Sequence, residues 1–585
     1  MKQPISERSM LFLRLSRERS RHRACLTCYL PNFNRYRMSA QFPTMLDKFC
    51  EFEQSRANKL FLAEPVRGEY QQFTWEEAGK QVRKMAASLK EMGLGKDDKI
   101  AILSKNCAHW IMADLAIAMA GCISVPLYPN ITPDALREII VHSESKAIFI
   151  GKLDNPAELR TGVPDGLIQI SFPFYPNAGC LNWNELIAGK KGVEGKPELD
   201  PHALACIVYT SGTTGQPKGV MHTYYAIAFA VDAFLISYPD IKEEIFFSYL
   251  PLCHVAERML VECGTIFTGS TVYFVESMDT FAKNLADTKP TVFLAVPRIW
   301  EKLQEGILKK MPQQKLDRLL SIPIVSTIIK KAIQKKLGLA NARFVFTGAS
   351  PINPGLLHWF AKLGITIQEA YGMTENVALS HSNRRGAVKF GTVGQAYQGV
   401  EVRLGKDNEV QVKSPASMLG YYKEPGLTAA CFEDGYLRTG DEGSIDSEGY
   451  LTITGRIKDQ FKTSKGKYIM PAPVESKLLQ TPELAQVCVV GSGMPSAMAL
   501  CTLSENARNH APESLQETLH QALANVNKSL EHHEQLSKLI VLTEEWTIQN
   551  GLLTPTLKIK RKMIDACFGE QYGSWSKTPD TVIFA

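Results

Sequence analysis

Long uninterrupted apolar runs are missing from this chain of 585 residues. The most apolar window, residues 108–126, contains His109 and Asp114 and is broken by Gly121 and Pro126. A membrane-spanning helix needs about 20 predominantly apolar residues, so this window predicts a buried helix followed by a strand. A disulfide framework is missing as well, because the thirteen cysteines are scattered along a chain too large to need covalent staples. The cysteines favour a reducing compartment, and we expect a cytoplasmic protein.

An excess of positive charge is confined to the front of the chain. Residues 1–37 hold eight arginines and one lysine against two acidic residues, which leaves the rest of the chain with a net charge of −1. Such a near-neutral body excludes a basic face for nucleic acid. The front segment is Arg-rich and acid-poor, as organellar transit segments are, but we favour a disordered tail or an upstream start codon with Met38 as the working start. Cys25 and Cys28 form a lone CxxC without a second pair nearby, so they do not predict a metal site.

The sequence shows neither internal repeats nor low-complexity segments, and its main pattern is an alternation of β-like runs with amphipathic segments. Residues 74–93 and 133–143 have the amphipathic pattern of helices, and runs such as KIAILSK, ALACIVYT and RFVFTGA predict strands between helices. After about Gly399 short strands and turns predominate, and residues beyond Arg456 have the pattern of a small α+β unit. We predict an α/β fold: a large N-terminal domain of parallel or mixed sheets covered by helices, with a β-rich subdomain, and a small α+β C-terminal domain joined by a hinge.

The segment Tyr209–Tyr224, YTSGTTGQPKGVMHTY, has the composition of a phosphate-binding loop. Its glycines allow close backbone approach, its serine and threonines offer hydroxyl donors, Lys218 adds a positive charge, and no acidic residue interrupts it. It is not a P-loop of the Gly-x4-Gly-Lys-Ser/Thr type, because Pro217 precedes the lysine and glycine follows it. We expect it to bind an oligophosphate rather than to be a plain turn with a solvated lysine.

YTSGTTGQPKGV resembles the phosphate loop of the adenylate-forming enzymes, which include acyl-CoA synthetases, luciferases and the adenylation domains of peptide synthetases. Five further motifs follow in the family's order: PLCHVAER, TGASP, EAYGMTE, YLRTGDEG and GRIKD, with LTPTLKIKR near the C-terminus. The resemblance implies that Tyr371 stacks on adenine, Thr374 contacts the α-phosphate, Asp441 accepts hydrogen bonds from the ribose, and Glu375 binds Mg²⁺ together with Thr210. The residues implied to contact ATP or coenzyme A are Thr210, Ser211, Gly212, Thr213, Thr214, Gly215, Lys218, Gly348, Ala349, Ser350, Tyr371, Gly372, Thr374, Asp441, Arg456, Lys458 and Gly466.

The same resemblance implies the catalytic residues and the domain limits. Lys558 would be the catalytic lysine, with Lys560 as its nearest rival because Leu557 stands where other branches have glycine. Glu375, His254 and Lys218 complete the implied catalytic set. We expect an extension at 1–37, an AMP-binding domain at 38–457 and a mobile C-terminal domain at 458–585. The C-terminal domain would turn about Lys458 and bring Gly466 to the thiol of coenzyme A.

Several details resemble the long-chain fatty acyl-CoA synthetases within this family. VPRIWEKLQEGI, a basic helical insert up to Leu339 and FKTSKGKYIMPAPVE are of that type. In the insert, apolar residues fall at helical spacing beside four lysines, which indicates either a stripe on the core or a basic amphipathic helix on an anionic membrane. Its apolar residues are Val325, Ile328, Ile329, Ala332, Ile333 and Leu337. A peripheral position on the inner membrane surface is therefore a further expectation.

The predicted reaction joins a long-chain fatty acid to AMP with release of pyrophosphate and then transfers the acyl group to coenzyme A, with ATP and Mg²⁺ required. Two alternatives within the family stay open: a ligase that loads an acyl carrier protein, and a synthetase for a medium-chain or aryl acid. A nucleotide-binding protein without catalysis is the alternative from another class. The sequence leaves the acyl chain length of the substrate, the oligomeric state and the metabolic pathway undetermined.

Overall fold

The structure is a computed structural model that describes residues 42–211, 217–505, 507–509, 511–554 and 558–585. The CxxC cysteines, Met38, loop residues Gly212, Thr213, Thr214 and Gly215, and Leu557 lie outside the described residues. Residues 43–585 form one unit, and the predicted α/β class is confirmed in it.

Two large mixed sheets form the N-terminal part of this unit. The first sheet has parallel pairing through its centre and antiparallel strands at both edges. In spatial order its strands are Gln395–Ala396, His381–Ser382, Gln368–Tyr371, Phe344–Thr347, Val292–Leu294, Ile245–Ser248, Thr271–Phe274, Leu60–Val66 and Glu69–Thr74. The second runs Gly420–Tyr421, Pro217–Thr223, Leu204–Ser211, Ile123–Leu127, Lys99–Leu103, Ser145–Ile150, Ile168–Ser171 and Leu181–Asn182. The alternation of strands with helices explains the parallel pairing, because a helix that crosses over the sheet lets the next strand start from the same end as the previous one.

Helices cover these sheets, and the apolar window behaves as the sequence predicts. Residues Ala108–Ala120 form a helix that is buried on all sides, and Ile123–Leu127 follows as a strand. Gly121 ends the helix with φ +83°, a conformation that glycine adopts without strain. Within the described residues, no helix is both long and apolar enough to span a bilayer.

Helix Trp75–Glu91 is amphipathic, with a Thr74–Glu77 capping box at its start, whereas helix Tyr224–Ser237 is mostly buried. The α-helices up to residue 430 are Met45–Ser55, Trp75–Glu91, Ala108–Ala120, Pro133–Ser143, Pro156–Arg160, Trp183–Ile187, Tyr224–Ser237, Val255–Glu257, Gly264–Thr268, Phe281–Thr288, Pro297–Leu308, Gln313–Leu320, Pro323–Leu337, Pro354–Lys362 and Pro425–Ala430, and Arg258–Cys263 is a π-helix. Short 3₁₀ turns lie at Thr374–Asn376, Lys406–Asn408 and Ile457–Asp459.

A β-rich subdomain and a small α+β lobe complete the unit, in agreement with the predicted fold class. The subdomain is antiparallel and contains Glu401–Leu404, Glu409–Lys413, Phe432–Glu433, Tyr436–Ile445 and Leu451–Arg456. The lobe has the sheet Leu484–Val490, Ala497–Leu503, Leu536–Leu542 and Val582–Phe584, the hairpin Phe461–Lys462 and Tyr468–Ile469, the α-helices Pro471–Leu478, Pro512–Lys528, Arg561–Phe568 and Tyr572–Lys577, and 3₁₀ turns at Ala507–Asn509 and Gly569–Gln571. The limits assigned to the domains at 37/38 and 457/458 stay a prediction.

Candidate active site

The strands Leu204–Ser211 and Pro217–Thr223, which flank residues 212–216 in the sequence, pair antiparallel. Thr210 faces Lys218 across the strands Leu204–Ser211 and Pro217–Thr223. At Gly219 an added Cβ would come within 2.7 Å of Ile207 Cγ2, so a larger residue would push the strands apart. The pairing therefore holds the Lys218 ammonium beside the position where the loop begins and ends.

Glu375 lies on the 3₁₀ turn that follows strand Gln368–Tyr371, in the same region as Thr374. Its carboxylate Oε1 accepts a hydrogen bond of 2.7 Å from the hydroxyl of Tyr421, and the ring of Tyr421 lies 5.5 Å from the Lys218 ammonium. Gly372 is required just before this turn, because an added Cβ would lie 2.3 Å from the Ala378 carbonyl group. Glu375 and Lys218 thus share one neighbour although the sequence places them far apart.

Asp441 and Tyr371 form a second buried polar group in the cleft. Asp441 accepts a hydrogen bond of 2.6 Å from the Tyr371 hydroxyl and an ion pair of 2.9 Å from Arg456 Nε, which faces it across the antiparallel strands. Burial, followed by the Asp441 charge, raises the pKa of the Tyr371 phenol. The Asp441 charge also raises the pKa of Arg456. These two contacts fix the orientation of the Asp441 carboxylate.

The segment Thr347–Pro351 ends strand Phe344–Thr347 close to the strand that carries Tyr371. An added Cβ at Gly348 would lie 2.9 Å from the Ala370 carbonyl oxygen, so glycine permits the close approach of these two strand ends. Ala349 has φ +67° and Ser350 follows it, both half-buried. A non-glycine residue at positive φ is uncommon and indicates a conformation imposed by the surroundings.

Lys558 reaches this cleft from the C-terminal lobe. It lies on a tight hairpin in which its N–H donates to Thr554 Oγ1 at 3.0 Å. Its side chain is exposed to solvent. Desolvation, followed by the Arg456 charge, lowers the pKa of the Lys558 ammonium, while Asp441 and Glu375 act in the opposite direction. Lys558 thus lies close enough to Arg456, Asp441 and Glu375 for their charges to act on its pKa.

His254 lies on the same cleft at the start of helix Val255–Glu257. Its Nδ1 accepts a hydrogen bond of 3.3 Å from the Ala256 N–H, as a helix-capping group does. Burial, followed by the Lys558 charge, lowers the pKa of His254 to about 4. His254 is therefore neutral at physiological pH, and it lies close enough to Lys558 for the charge of that lysine to act on it.

Two residues assigned to the second half-reaction lie outside this cluster of contacts. Lys458 is exposed on the 3₁₀ turn Ile457–Asp459, between the β-rich subdomain and the C-terminal lobe. Gly466 has φ +78° at the exposed tip of the hairpin Phe461–Lys462 and Tyr468–Ile469. The main chain of this hairpin bonds to Gly493 and Met494 rather than to the residues around Lys558.

A buried ionic group lies behind His254. Arg258 begins a π-helix and forms ion pairs of 2.7 Å with Asp114 and 3.5 Å with Glu262. Two cavities meet at Arg258, and each has room for about one water molecule. Val255 and Val377 line the cavity nearer to His254 and Glu375. The sequence analysis did not identify this group, because its members come from separate elements.

The site residues offer the chemistry that ATP and a divalent cation require. Among the described residues, no cluster of three or more His, Cys, Asp or Glu side chains could hold a metal ion by itself. Glu375 instead presents a single carboxylate: its Oε1 accepts the hydrogen bond from Tyr421, and its Oε2 is the oxygen that a cation would bind. A Mg²⁺ ion is commonly held by one or two carboxylates together with substrate phosphates, and Glu375 fits this pattern.

Comparison with known proteins agrees with the geometry of the cleft. The chain is 29% identical over 560 residues to the long-chain-fatty-acid–CoA ligase FadD15 of Mycobacterium tuberculosis, covering 85% of this chain and 91% of that protein. It is 27% identical over 603 residues to the peroxisomal long chain acyl-CoA synthetase 7 of Arabidopsis thaliana, covering 90% of this chain and 85% of that protein.

Solved structures show the same fold. The anthranilate CoA ligase AuaEII in complex with anthranoyl-AMP has a TM-score of 0.74 at 20% identity, with 90% of this chain and 97% of that chain covered. The adenylation domain of a carboxylic acid reductase from Segniliparus rugosus, in complex with AMP and a co-purified carboxylic acid, has a TM-score of 0.75 at 21% identity, with 91% and 94% covered.

Family models account for most of the described chain. The model described as AMP-binding enzyme matches residues 51–422, and the model of the AMP-binding enzyme C-terminal domain matches residues 458–571. The first match alone covers more than half of the 585 residues. The motifs, the fold and these matches agree, and the chain therefore belongs to the family of AMP-binding enzymes.

Proposed function

We propose that this protein is a long-chain fatty acid–CoA ligase that forms AMP. The observation that carries the proposal is the convergence of Lys218, Glu375, Asp441, Arg456 and Lys558 on one cleft. The long-chain-fatty-acid–CoA ligases among its relatives, which align over most of their length, support a fatty acid as the acyl substrate.

The chemistry explains why ATP is needed. A carboxylate resists attack by a thiol, because it is negatively charged and its leaving group would be oxide. In the first half-reaction a carboxylate oxygen attacks the α-phosphate of ATP, the bond to the bridging oxygen breaks, and pyrophosphate leaves. The resulting acyl-AMP is a mixed anhydride, from which the sulfur of coenzyme A displaces AMP in the second half-reaction and the thiol proton passes to solvent.

The residues of the cleft are suited to stabilising charge on phosphate oxygens, where it increases during the first half-reaction. We assign Lys218 and the 210–218 loop to the β- and γ-phosphates, Lys558 to the reacting oxygens, and Thr210 and Glu375 to Mg²⁺. The bound cation would neutralise phosphate charge. Tyr371, Gly372 and the 348–350 segment would hold the adenine, Thr374 the α-phosphate, and Asp441 with Arg456 the ribose. A neutral His254 would border the acyl group.

The second half-reaction requires a different arrangement of the C-terminal lobe. We propose that the lobe turns about Lys458, which withdraws Lys558 and brings the Gly466 hairpin to the pantetheine. The exposed position of that hairpin supports this role, because it leaves the backbone near Gly466 open to a ligand.

We further propose that the protein contacts the inner surface of an anionic membrane through the helix Pro323–Leu337. Ile324 and Ile328 are 78% and 61% exposed, and Ile322 just before the helix is 47% exposed. Lys331, Lys335 and Lys336 are exposed further along the helix. Ile329, Ile333 and Leu337 pack on the core instead, so the core accounts for part of the apolar stripe and leaves Ile328 exposed.

This surface suits a lipid interface because exposed isoleucines can enter the headgroup region while lysines meet anionic lipid. In sedimentation with vesicles that contain phosphatidylglycerol, we expect binding that weakens with salt. Ile324→Ser with Ile328→Ser should abolish it, and Lys331→Glu with Lys335→Glu should do the same. The controls are Val141→Ser, which changes an exposed β-branched apolar side chain elsewhere, and Lys191→Glu. Equal binding by all variants would contradict the membrane contact.

The reaction is tested by measuring AMP and pyrophosphate release with Mg-ATP and acids from acetate to oleate, each with and without coenzyme A. Turnover that needs a long-chain acid and coenzyme A is the expected result. One equivalent of pyrophosphate without turnover would indicate a ligase that loads a carrier protein. Turnover with a medium-chain or aryl acid instead would assign the protein to that substrate class. If none of the acids supported release of AMP and pyrophosphate, the proposed activity would be contradicted.

A further inference from the structure

Tyr421 lies at the junction of two functional segments that are distant in sequence. Its strand, Gly420–Tyr421, pairs with Pro217–Thr223, and Tyr421 faces Val220 in that register. The Met418 N–H, three residues earlier, donates to the Glu375 carbonyl oxygen at 2.8 Å. The strand is therefore fixed on one side to the segment of Lys218 and on the other to the segment of Glu375.

The side chain of Tyr421 repeats this connection. Its hydroxyl donates to Glu375 Oε1 at 2.7 Å, and its ring centroid lies 5.5 Å from the Lys218 ammonium. The Cys431 thiol lies 3.9 Å from the same hydroxyl. Tyr421 is only 7% exposed, so these contacts form in a mostly desolvated place where a hydrogen bond and a cation–π contact are stronger than in water.

One hydrogen bond does not exhaust the carboxylate of Glu375. A carboxylate has two oxygens with about four acceptor positions, so a donor on Oε1 leaves Oε2 for a cation. Groups that hydrogen-bond to a metal ligand orient it, and their removal commonly lowers metal affinity by about 10–100-fold. The Tyr421 hydroxyl makes a hydrogen bond of this kind to Glu375.

We propose that Tyr421 is a positioning residue for the ATP site: it orients the Glu375 carboxylate toward Mg²⁺ and holds the Lys218 ammonium on its ring, toward the β- and γ-phosphates. This inference rests on the proposed ATP-dependent function. It adds to that function a residue that acts through Glu375 and Lys218 and does not itself touch the reacting atoms.

A purely structural role is the competing explanation, because Tyr421 also packs with Val220, Met418 and Leu437 in a small apolar cluster. Tyr421→Phe separates the two explanations. Phenylalanine keeps the ring in the cluster and under Lys218, and it removes only the hydroxyl that bonds to Glu375. Tyr421→Leu removes the ring as well.

The matched control is the neighbouring residue. Tyr422→Phe also removes a hydroxyl that donates to a glutamate, in this case Glu144 at 2.8 Å, but that pair lies on the surface away from the cleft. A general effect of losing a tyrosine hydroxyl in this segment would appear in both variants. An effect through Glu375 would appear only in Tyr421→Phe.

The experiment measures binding of Mn²⁺, as a paramagnetic substitute for Mg²⁺, to the full chain with a non-hydrolysable ATP analogue, by electron paramagnetic resonance. Affinity for the analogue without metal and the melting temperature are measured in parallel. We expect Tyr421→Phe to weaken Mn²⁺ binding about tenfold, with metal-free analogue binding unchanged. Tyr421→Leu should in addition weaken metal-free binding of the analogue severalfold, and Tyr422→Phe should match the wild type.

Three results would overturn the inference: unchanged or tighter Mn²⁺ binding by Tyr421→Phe, an equal loss in Tyr422→Phe, or a loss of metal-free analogue binding as large as the loss of Mn²⁺ binding. Failure of the proposed function would be recognised separately. In that case the wild-type protein itself would bind neither the analogue nor Mn²⁺ with it, and would form no acyl-AMP.

Discussion

The cleft has two walls that are held by different kinds of contact. On the N-terminal wall, Tyr371 and Tyr421 donate hydrogen bonds of 2.6 and 2.7 Å to carboxylates in mostly buried surroundings. The C-terminal lobe, which carries Lys558, forms ion pairs with the helix Pro297–Leu308 and its end: the exposed pair Lys309–Glu505 at 2.8 Å, and Arg298–Glu545 at 3.7 Å with Arg298 half-buried. Arg298 also pairs with Glu301 and Glu305 on its own helix.

These contacts differ in strength by their physical nature. A hydrogen bond to a charged group contributes about 1.5–3 kcal/mol, whereas an exposed ion pair contributes about 0–1 kcal/mol and weakens with salt. The nucleotide side of the cleft is therefore prearranged, and these ion pairs by themselves add little to the attachment of the Lys558 side. An enzyme that uses Lys558 in one half-reaction and must withdraw it for the next would need this difference.

The largest effect is expected from Lys558→Ala. Loss of an ammonium directed at developing negative charge should slow acyl-AMP formation by about 10²–10³-fold, since removal of one such group has this cost in other enzymes. Thiolysis of supplied acyl-adenylate should stay close to the wild-type rate. Rapid-quench measurement of each half-reaction checks this, with Lys560→Ala as the control for the alternative register. Equal loss in both half-reactions, or a larger loss in Lys560→Ala, would contradict the role of Lys558.

A second effect, on the prearranged wall, is expected from Asp441→Asn. The amide keeps the shape of the side chain but removes the negative charge that pairs with Arg456 and accepts the hydrogen bond from Tyr371. The KM for ATP should therefore rise about tenfold, and the melting temperature should fall by a few degrees. Asp446→Asn is the control, because Asp446 follows the same strand but pairs with Lys389 at the surface. A normal KM for ATP in Asp441→Asn would show that the Asp441 charge is not needed for nucleotide binding.

A third effect concerns pH and the buried acids of the N-terminal part. Burial raises the pKa of Glu257 to about 8, although bonds from Ser248 and the Tyr249 N–H lower it. Between pH 4.5 and 8 the folded protein holds a proton that the unfolded chain releases, so stability falls as pH rises through this window, by at most about 1.4 kcal/mol per pH unit.

Glu257→Gln isolates this contribution, because the amide oxygen can still accept both bonds. The difference in free energy of unfolding between the variant and the wild type should grow from pH 5 to pH 8 in favour of the variant. Urea titration at several pH values measures it. The variant must be compared with the wild type at each pH, because other buried groups also make stability depend on pH. Burial raises the pKa of Glu369 to about 8 and lowers the pKa of His222 to about 4. A pH-independent difference would show that Glu257 ionises normally.

The smallest effect is expected at the loosely held wall. Lys309→Glu should weaken the contact with Glu505 and shift the ratio of adenylation to thiolysis rates by a few-fold, since an exposed pair contributes at most about 1 kcal/mol. The charge-swapped protein, Lys309→Glu with Glu505→Lys, should recover the wild-type ratio, and 0.5 M salt should reduce the difference among all three. A ratio that is insensitive to both charge and salt would mean that other contacts hold the lobe.

The sequence anticipated the alternating architecture and the family, and both are confirmed. Helix Pro133–Ser143 has the bounds that its periodicity indicated, and the apolar window 108–126 became a helix and a strand. These features could be read from the sequence because they depend on local periodicity and on motifs that are contiguous. The roles of the site residues and the domain limits stay predictions.

Other features depended on contacts between distant segments. The insert helix has apolar residues on more than one side, and only packing determines that Ile333 meets the core while Ile324 faces solvent. Tyr421 gave no signal in the sequence, because 46 residues separate it from Glu375. The ionic group of Arg258 and Asp114 spans 144 residues in the same way.

By itself, the sequence determined the order of strands and helices and membership of the AMP-binding enzymes, because each is encoded in neighbouring residues; the phosphate-binding role of the loop stays a prediction. Tertiary structure decided that Tyr421 joins Glu375 to Lys218, that Asp441 pairs with Arg456, and that the charge of Arg456 acts on Lys558. The reason is physical: hydrogen bonds and ion pairs act over a few ångströms, and only the folded chain brings residues from separate segments within that distance.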